Sequence, residues 1–333
     1  MLRCQGPLES YPPPDKRKTP RISPEFLKRK QNKSMRKSTL KDHSVSTHVD
    51  LVSENNIRDI VSSLTSFHNR HTKSTNIHLV AEWIMNYVKN FDDNVTYHEY
   101  LHDGYQLKNV VYNKQGTTDK TLLFCAHYDT ILNNRREDVD ARAPGADDNA
   151  SGVSSLLEIS RIISKLNFKH SIRLAFFSGE EQGLWGSTHY AQFLKDRNED
   201  LHAVVNLDMC AEAGFLATNN TTNVDIDDGT TGSVSSNDEA SQLLGLKMEQ
   251  MAIDYTDLNV VNQWPIDNSD YMPFEARGYV CIGAYDGSAV HGNSHYHSET
   301  DIPSNLDMNL LTSVTKMVLA FMLTEGEATD YNR

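Results

Sequence analysis

Four short runs, TLLFCAH at 121–127, SIRLAFFS at 171–178, AVVNLDM at 203–209 and YVCIGAY at 279–285, are apolar at nearly every position. A strand with one wet face alternates apolar and polar residues, so strands lacking that alternation must be covered on both faces. Helix-period segments surround them. NNIRDIVSSLTSFHN puts Ile57, Ile60, Val61 and Leu64 on one helical face. NIHLVAEWIMNYVKNF predicts the same for Leu79, Trp83, Ile84 and Val88. GVSSLLEISRIISKL, at 152–166, is apolar nearly all round and predicts a helix pressed against a sheet. A last helix is expected from about Asn305 to Leu323. This alternation implies an α/β fold, a three-layer sandwich whose mixed, mostly parallel central sheet is flanked by helices. Two local expectations complete the pattern. KNVVYN and TLLFCAH flank a Gly-Thr-Thr-Asp turn and predict a hairpin, and the polar stretch at 217–238 predicts a surface excursion.

A chain of 333 residues can hold one large domain of this kind. Residues 1–45 are rich in Pro, Lys and Ser and predict a disordered basic arm, leaving 46–330 as a single domain. Charge divides the same way: residues 1–42 carry a net +8 and the remainder a net -21. A body this acidic is not expected to bind nucleic acid. No apolar run reaches the roughly 18 residues of a membrane span, and the start, MLRCQGPLESYPPPDKRK, has no apolar signal segment. A cytoplasmic location is the expectation from those two observations. None of the four cysteines has CxxC spacing, and Cys125, Cys210 and Cys281 sit in or just after apolar runs, as buried free thiols do.

The chemistry is carried by where the polar residues fall. The apolar runs end in acids or histidine: His127 and Asp129 after TLLFCA, Glu180 and Glu181 after AFFSG, Asp208 after VVNL. APGADDNASG carries Asp147 and Asp148 into the 152–166 helix, and HYHSETD, after YVCIGAY, supplies His295, His297, Glu299 and Asp301. Functional groups of open α/β sheets gather at the carboxyl ends of strands. Two adjacent glutamates there repel one another and lose hydration. Two metal ions remove that cost, because histidine and carboxylate are zinc ligands and one carboxylate can bridge two ions. Glu180 and Glu181 cannot both point the same way, so one is free to coordinate and the other to move a proton. Asp129 suits the fixing of the His127 ring. His291, His295 and His297 compete as the second histidine, and Asp147 competes with Asp148, with helix capping as the other use of Asp147.

The segments HYD, APGADDNASG, SGEEQGLWGS, NLDM and YHSETDIPSNLD resemble those of di-zinc aminopeptidases of the bacterial leucyl aminopeptidase type. The resemblance spans roughly residues 50–325 and includes IVSSLTSFHNR near the start. It implies two zinc ions per chain, one held by His127 and Asp208, the other by Glu181 and His297, with Asp148 as bridge. Glu180 would be the general base and Asp129 the acid orienting His127. The implied reaction removes the N-terminal, often apolar, residue of a peptide through a zinc-bound hydroxide. The fold implied is that of zinc-dependent exopeptidases. Two rivals stand beside it: a glutaminyl-peptide cyclotransferase on the same scaffold, with one zinc, and a non-catalytic binding relative. Secretion, common in that family, is the alternative location.

Overall fold

The computed structural model describes residues 21–31, 42–212, 220–227, 237–261, 268–286 and 293–330. Ten strands are present among them: β1 Val95–His102, β2 Tyr105–Lys114, β3 Thr121–His127, β4 Leu166–Phe168, β5 Ser171–Phe177, β6 Leu201–Leu207, β7 Thr221–Ile226, β8 Asn259–Val261, β9 Cys281–Asp286 and β10 Ala328–Asp330. The helices are α1 Pro24–Gln31, α2 His43–Val49, α3 Glu54–Ser66, α4 Asn76–Lys89, α5 Gly152–Ile163, α6 Trp185–Asp196, α7 Asp238–Tyr255, α8 Met272–Glu275 and α9 Met308–Glu325. Eight strands form one sheet in the order β1-β2-β5-β3-β6-β9-β7-β8. Its centre, β5-β3-β6-β9, is parallel; β1 and β2 are added antiparallel on one side, and β7 runs antiparallel to β9 on the other.

The unbroken apolar runs are the central strands, covered on both faces. Along β3, Leu122, Phe124 and Ala126 join the core beneath α3, α5 and α9, while Leu123 and Cys125 join a second core with Tyr190 and Leu194 of α6 and Phe274 of α8. β5 divides likewise, Leu174 and Phe176 against Ala175 and Phe177. The three-layer sandwich with a mixed, mostly parallel sheet is therefore the fold observed. Cys125, Cys210 and Cys281 are free and buried, as expected.

Several local expectations are corrected. β2 and β3 do not form a hairpin: β5 lies between them, and β2 pairs with β1 through a tight turn at Asp103–Gly104. A short polar link fixes a turn but not which neighbour its strands choose, and β5 is apolar enough to take the central place. On α4 the covered stripe is Ile77, Val80, Ala81, Ile84, Met85 and Val88, a complete i, i+3, i+4 series, and Leu79 is exposed. Within the stretch read as a surface excursion, Thr221–Ile226 is a fully buried strand. Two of its polar side chains find partners inside the fold: Thr222 Oγ1 donates to the Tyr285 carbonyl at 2.5 Å and Asn223 Nδ2 to Asp225 Oδ1. Residues 217–219 and 228–236 lie outside the described residues.

The basic arm also contributes structure. α1 anchors through Phe26, which is buried in the main core. Gln242 of α7 accepts from Ser23 N at 2.8 Å and donates to the Arg21 carbonyl at 2.9 Å, and Arg21 pairs with Asp238. Residues 1–20 and 32–41 lie outside the described residues.

Glu158, which the helical pattern of α5 does not mark as buried, has no exposed surface. It accepts from Ser53 N at 2.7 Å and Asn56 Nδ2 at 3.3 Å at the start of α3, and pairs with Arg161 at 2.6 Å. Replacing it with Ala removes the acceptor of Ser53 N, Asn56 Nδ2 and the Arg161 guanidinium. Glu158→Ala should cost about 2–3 kcal/mol of unfolding free energy, measured by urea titration, against a few tenths for the exposed Glu54→Ala.

Candidate metal centre

The carboxyl ends of the parallel strands place the polar residues. His127 is the last residue of β3; Ser178, Gly179, Glu180 and Glu181 follow β5; Asp208 follows β6. A bent segment, Ala146–Ser151, brings Asp148 in ahead of α5, and a turn at 294–297 before α9 brings in His297. Gly179 (φ 77°) and His297 (φ 50°) take left-handed backbone conformations that reverse the chain where their loops enter the site.

These residues converge. His127 Nε2 lies 3.2 Å from Asp148 Oδ1 and 3.3 Å from Asp208 Oδ1. His297 Nε2 lies 2.8 Å from Asp148 Oδ2 and 2.9 Å from Glu181 Oε1. Asp148 thus presents one oxygen to each imidazole and stands between two groups of donors. His127, Asp148 and Asp208 offer ligand atoms mutually within 4.8 Å, as do Asp148, Glu181 and His297, and as do His127, Glu180 and Glu181. All six side chains are buried.

The fit to metal is visible in the donor geometry. Glu181 Oε1 is 2.9 Å from an imidazole nitrogen, yet neither oxygen of Glu181 makes a hydrogen bond. The nitrogen and the oxygen aim past one another, as two donors do when they share a third partner. Two atoms each about 2.0–2.2 Å from one ion sit roughly 2.8–3.5 Å apart, which brackets the spacings here.

The electrostatics show what such a centre costs without cations. Burial pushes the Glu180 carboxyl well above its ordinary range, only partly offset by His127. Burial likewise raises Glu181, against the pull of His297. Burial would lower both histidines, but the carboxylates overcome it. His127 is held well above its usual value, and Glu181 and Asp148 bring His297 up to about 10. Asp148 is lowered, because His297 and His127 outweigh its burial.

Each converging group has a partner that fixes it. Ser269 Oγ donates to Asp208 Oδ2 at 2.7 Å, leaving Oδ1 toward His127, and Asn206 Nδ2 donates to Ser269 Oγ at 2.8 Å. His297 Nδ1 meets Asn133 Oδ1 at 3.1 Å, and the Tyr296 ring stacks on it at 3.7 Å. Asp129 meets the glutamate pair as well as the loop of His127. Its carboxylate accepts Glu180 N at 3.1 Å, Glu181 N at 3.2 Å and Thr72 Oγ1 at 2.8 Å. His127 Nδ1 is 3.2 Å from the Asp129 carbonyl and 3.6 Å from its carboxylate, too long for a hydrogen bond. Asp129 thus grips the Glu180–Glu181 main chain with its carboxylate and meets the imidazole through its main-chain carbonyl.

Asp147 is not a helix cap. It accepts from Ala211 N and Asn293 Nδ2, both at 2.9 Å. His295 bonds Thr300 in its own loop, away from the cluster, and His291 lies outside the described residues. Sequence reasoning does not single out Asn133, Ser269 or Thr72, whose residue types are common in loops. Asp301 stands out in HYHSETD, but the sequence does not show that it accepts from the main-chain N–H groups of Asp147 and Asp148, at 2.8 and 3.0 Å.

The sequence profile of Peptidase family M28 matches residues 109–322, the interval holding β3, α5, the glutamate pair, Asp208 and His297. The chain belongs to that family. A probable leucine aminopeptidase of Trichophyton verrucosum (strain HKI 0517) is 26% identical over 292 residues, covering 84% of this chain and 75% of the relative. The crystal structure of the LapA aminopeptidase of Legionella pneumophila superimposes with a TM-score of 0.71 at 21% identity, covering 88% of this chain and 77% of that one. Porphyromonas gingivalis glutaminyl cyclase gives 0.66 at 20% identity, covering 83% and 99%. The two structures share the fold. As an M28 peptidase, this chain is a hydrolase of peptide bonds, and no described helix is long and apolar enough to cross a membrane.

The raised groups fix the sign of the metal-free protein's pH response. His127 and His297 bind protons more tightly folded than unfolded, so their contribution is complete below about pH 6.5 and is lost as pH rises through the folded values. The raised Glu180 and Glu181 act in the same direction. The melting temperature of chelator-treated M28 peptidase should therefore fall between about pH 6.5 and 10, while metal replaces those protons and flattens the curve; differential scanning calorimetry of both forms reads this out.

Proposed function

We propose that this M28 peptidase is an aminopeptidase that removes N-terminal, preferably apolar, residues from peptides with two zinc ions. One ion would be held by His127 and Asp208, the other by Glu181 and His297, with Asp148 shared. The observation that carries the reading is the split carboxylate: Asp148 faces His127 with Oδ1 and His297 with Oδ2, beside a Glu181 whose oxygens have no hydrogen-bond partner. The relative named a probable leucine aminopeptidase supports the substrate class and the apolar preference.

When bound, the ions would polarise the scissile carbonyl and make the attacking water more acidic. The chain's own groups do the rest. Glu180 is the base: its buried carboxylate, beside His127, can take a proton from water at Oε and pass it to the departing amine. Asp129 aims that carboxylate by holding the amides of Glu180 and Glu181. Ser269 and Asn133 keep Asp208 and His297 in their working orientations. Burial of the cluster excludes competing water and strengthens every charge interaction in it.

The glutaminyl cyclase likeness gives the rival reading, acyl transfer with one ion. The complete His127–Asp148–Asp208 group favours hydrolysis over it. Glu180→Gln should lower kcat on an aminoacyl chromogenic amide about 10²–10⁴-fold with unchanged metal content. Loss of metal from Glu180→Gln would show that Glu180 and Glu181 have been exchanged. One ion in the wild-type protein, with cyclisation of N-terminal glutamine and no amide hydrolysis, would establish the rival.

A further inference from the structure

The segment that joins α3 to α4 carries Arg70, a cation with no exposed surface. Burying a guanidinium away from water costs several kcal/mol, and an ion pair is the usual compensation. Arg70 has none: among the described residues, no carboxylate oxygen lies within ion-pair distance of it. Its donors go to main-chain carbonyls instead. Nε donates to the Tyr128 carbonyl at 2.8 Å, Nη1 to those of Leu64 at 3.2 Å and Pro144 at 2.5 Å, and Nη2 to that of Gly145 at 2.8 Å.

Those four carbonyls belong to three different pieces of chain. Leu64 is in the last turn of α3. Tyr128 lies between His127 and Asp129. Pro144 and Gly145 lead into Asp148. One planar fork therefore spans the two loops that bring His127 and Asp148 within 3.2 Å of each other. The main chain of the same residue reinforces the link: Arg70 N donates to Thr130 Oγ1 at 3.0 Å, and Thr130 N donates to the Arg70 carbonyl at 3.3 Å. Gly145 lies so close that a Cβ there would sit 2.9 Å from Nη2, with φ at +55°. Two residues along from Arg70, Thr72 holds the Asp129 carboxylate.

Charge points the same way. Burial lowers Arg70 to about 10, so it stays cationic at neutral pH, and Asp301, Asp148, Asp129 and Glu181 are the anions that favour its charge. A fixed positive charge sits near these carboxylates while its donors are taken up by main-chain carbonyls. Two such loops could be packed together by apolar contacts alone. A buried guanidinium is worth its desolvation where the spacing must be held in several directions at once and the neighbours are anionic.

We infer that Arg70 is a positioning residue for the metal centre: its fork sets the separation of His127 from Asp148, and so the affinity of both ion sites. The inference rests on the two-ion reading. It assigns Arg70 no contact with ion or substrate.

The test uses the metal-free full chain and its Arg70→Lys and Arg70→Met variants. Lysine keeps the charge but cannot span three pieces of chain; methionine keeps much of the volume and no donor. Zinc is titrated into each protein against a chromogenic chelator, which reads affinity without turnover. Val318→Ala, a truncation of a fully buried side chain in α9, controls for lost stability. Arg70→Lys should fold and bind both ions about 10–100-fold more weakly than wild type, because the bridging Asp148 serves both. Val318→Ala should bind them normally. Wild-type affinity for either ion in Arg70→Lys overturns the inference, as does an equal loss in Val318→Ala. Should Arg70→Met not fold, Arg70→Lys decides. Fewer than two ions in the wild-type protein would overturn the two-ion reading itself, whatever the variants do.

Discussion

Asp148 sits between two imidazoles, one oxygen toward each, and everything nearby is arranged around that shared carboxylate. In a buried cluster its negative charge, with those of Glu180, Glu181 and Asp208, is tolerable only against positive charge. Protons supply some of it in the metal-free protein, which is why both histidines are raised and both glutamates are pushed toward their neutral forms. Zinc bound by the same donors would supply the positive charge through their lone pairs, in place of those protons. The centre is thus unstable as a set of bare carboxylates and coherent as a cage.

Two further acids keep the cage in shape, and they do so in the same way. Asp129 takes the successive amides of Glu180 and Glu181; Asp301 takes those of Asp147 and Asp148. Each clamps the main chain of an adjacent pair of acids: Glu180 and Glu181 both join a donor group with His127, and Asp148 faces the centre while Asp147 turns to Ala211 and Asn293. An acid placed like this is more than an anchor. Accepting two N–H groups offsets its own burial, and its charge adds to the field that favours cations. Burial nevertheless leaves Asp301 raised to about 7, near enough to neutrality that its grip depends on those amides.

Much of this was legible in the sequence because the parallel sheet puts its strand ends on one rim. The unalternated runs identify β3, β5, β6 and β9, and the residue following each run is then at the rim by geometry alone. His127, Glu180, Glu181 and Asp208 follow from that. Asp148 and His297 do not lie at strand ends, and only the family resemblance separated them from Asp147, His291 and His295. What could not be read was anything resting on hydrogen bonds that form only once the chain is folded. Thr221–Ile226 looks like a loop because its polar side chains find partners only in the folded sheet. Ser269, Asn133 and Asp301 act through hydrogen bonds to groups distant in sequence. The β2–β3 hairpin failed for a related reason: a turn is local, whereas the choice of β5 as neighbour is made by the whole sheet.

Arg70 shows why such groups must be turned away from the ligands they serve. An arginine near four carboxylates would ordinarily form a bidentate pair with one of them. Paired to Asp148 or Asp129, the guanidinium would occupy the same lone pairs that a metal ion or the glutamate amides require, and the charge that stabilises the cage would block it. Directing its donors to the carbonyls of Leu64, Tyr128, Pro144 and Gly145 removes that competition while leaving the charge in place. The favourable field is long-ranged in a buried setting, but hydrogen bonds are not. Separating the two lets one residue hold the loops and favour anions beside them without acting as a ligand's rival.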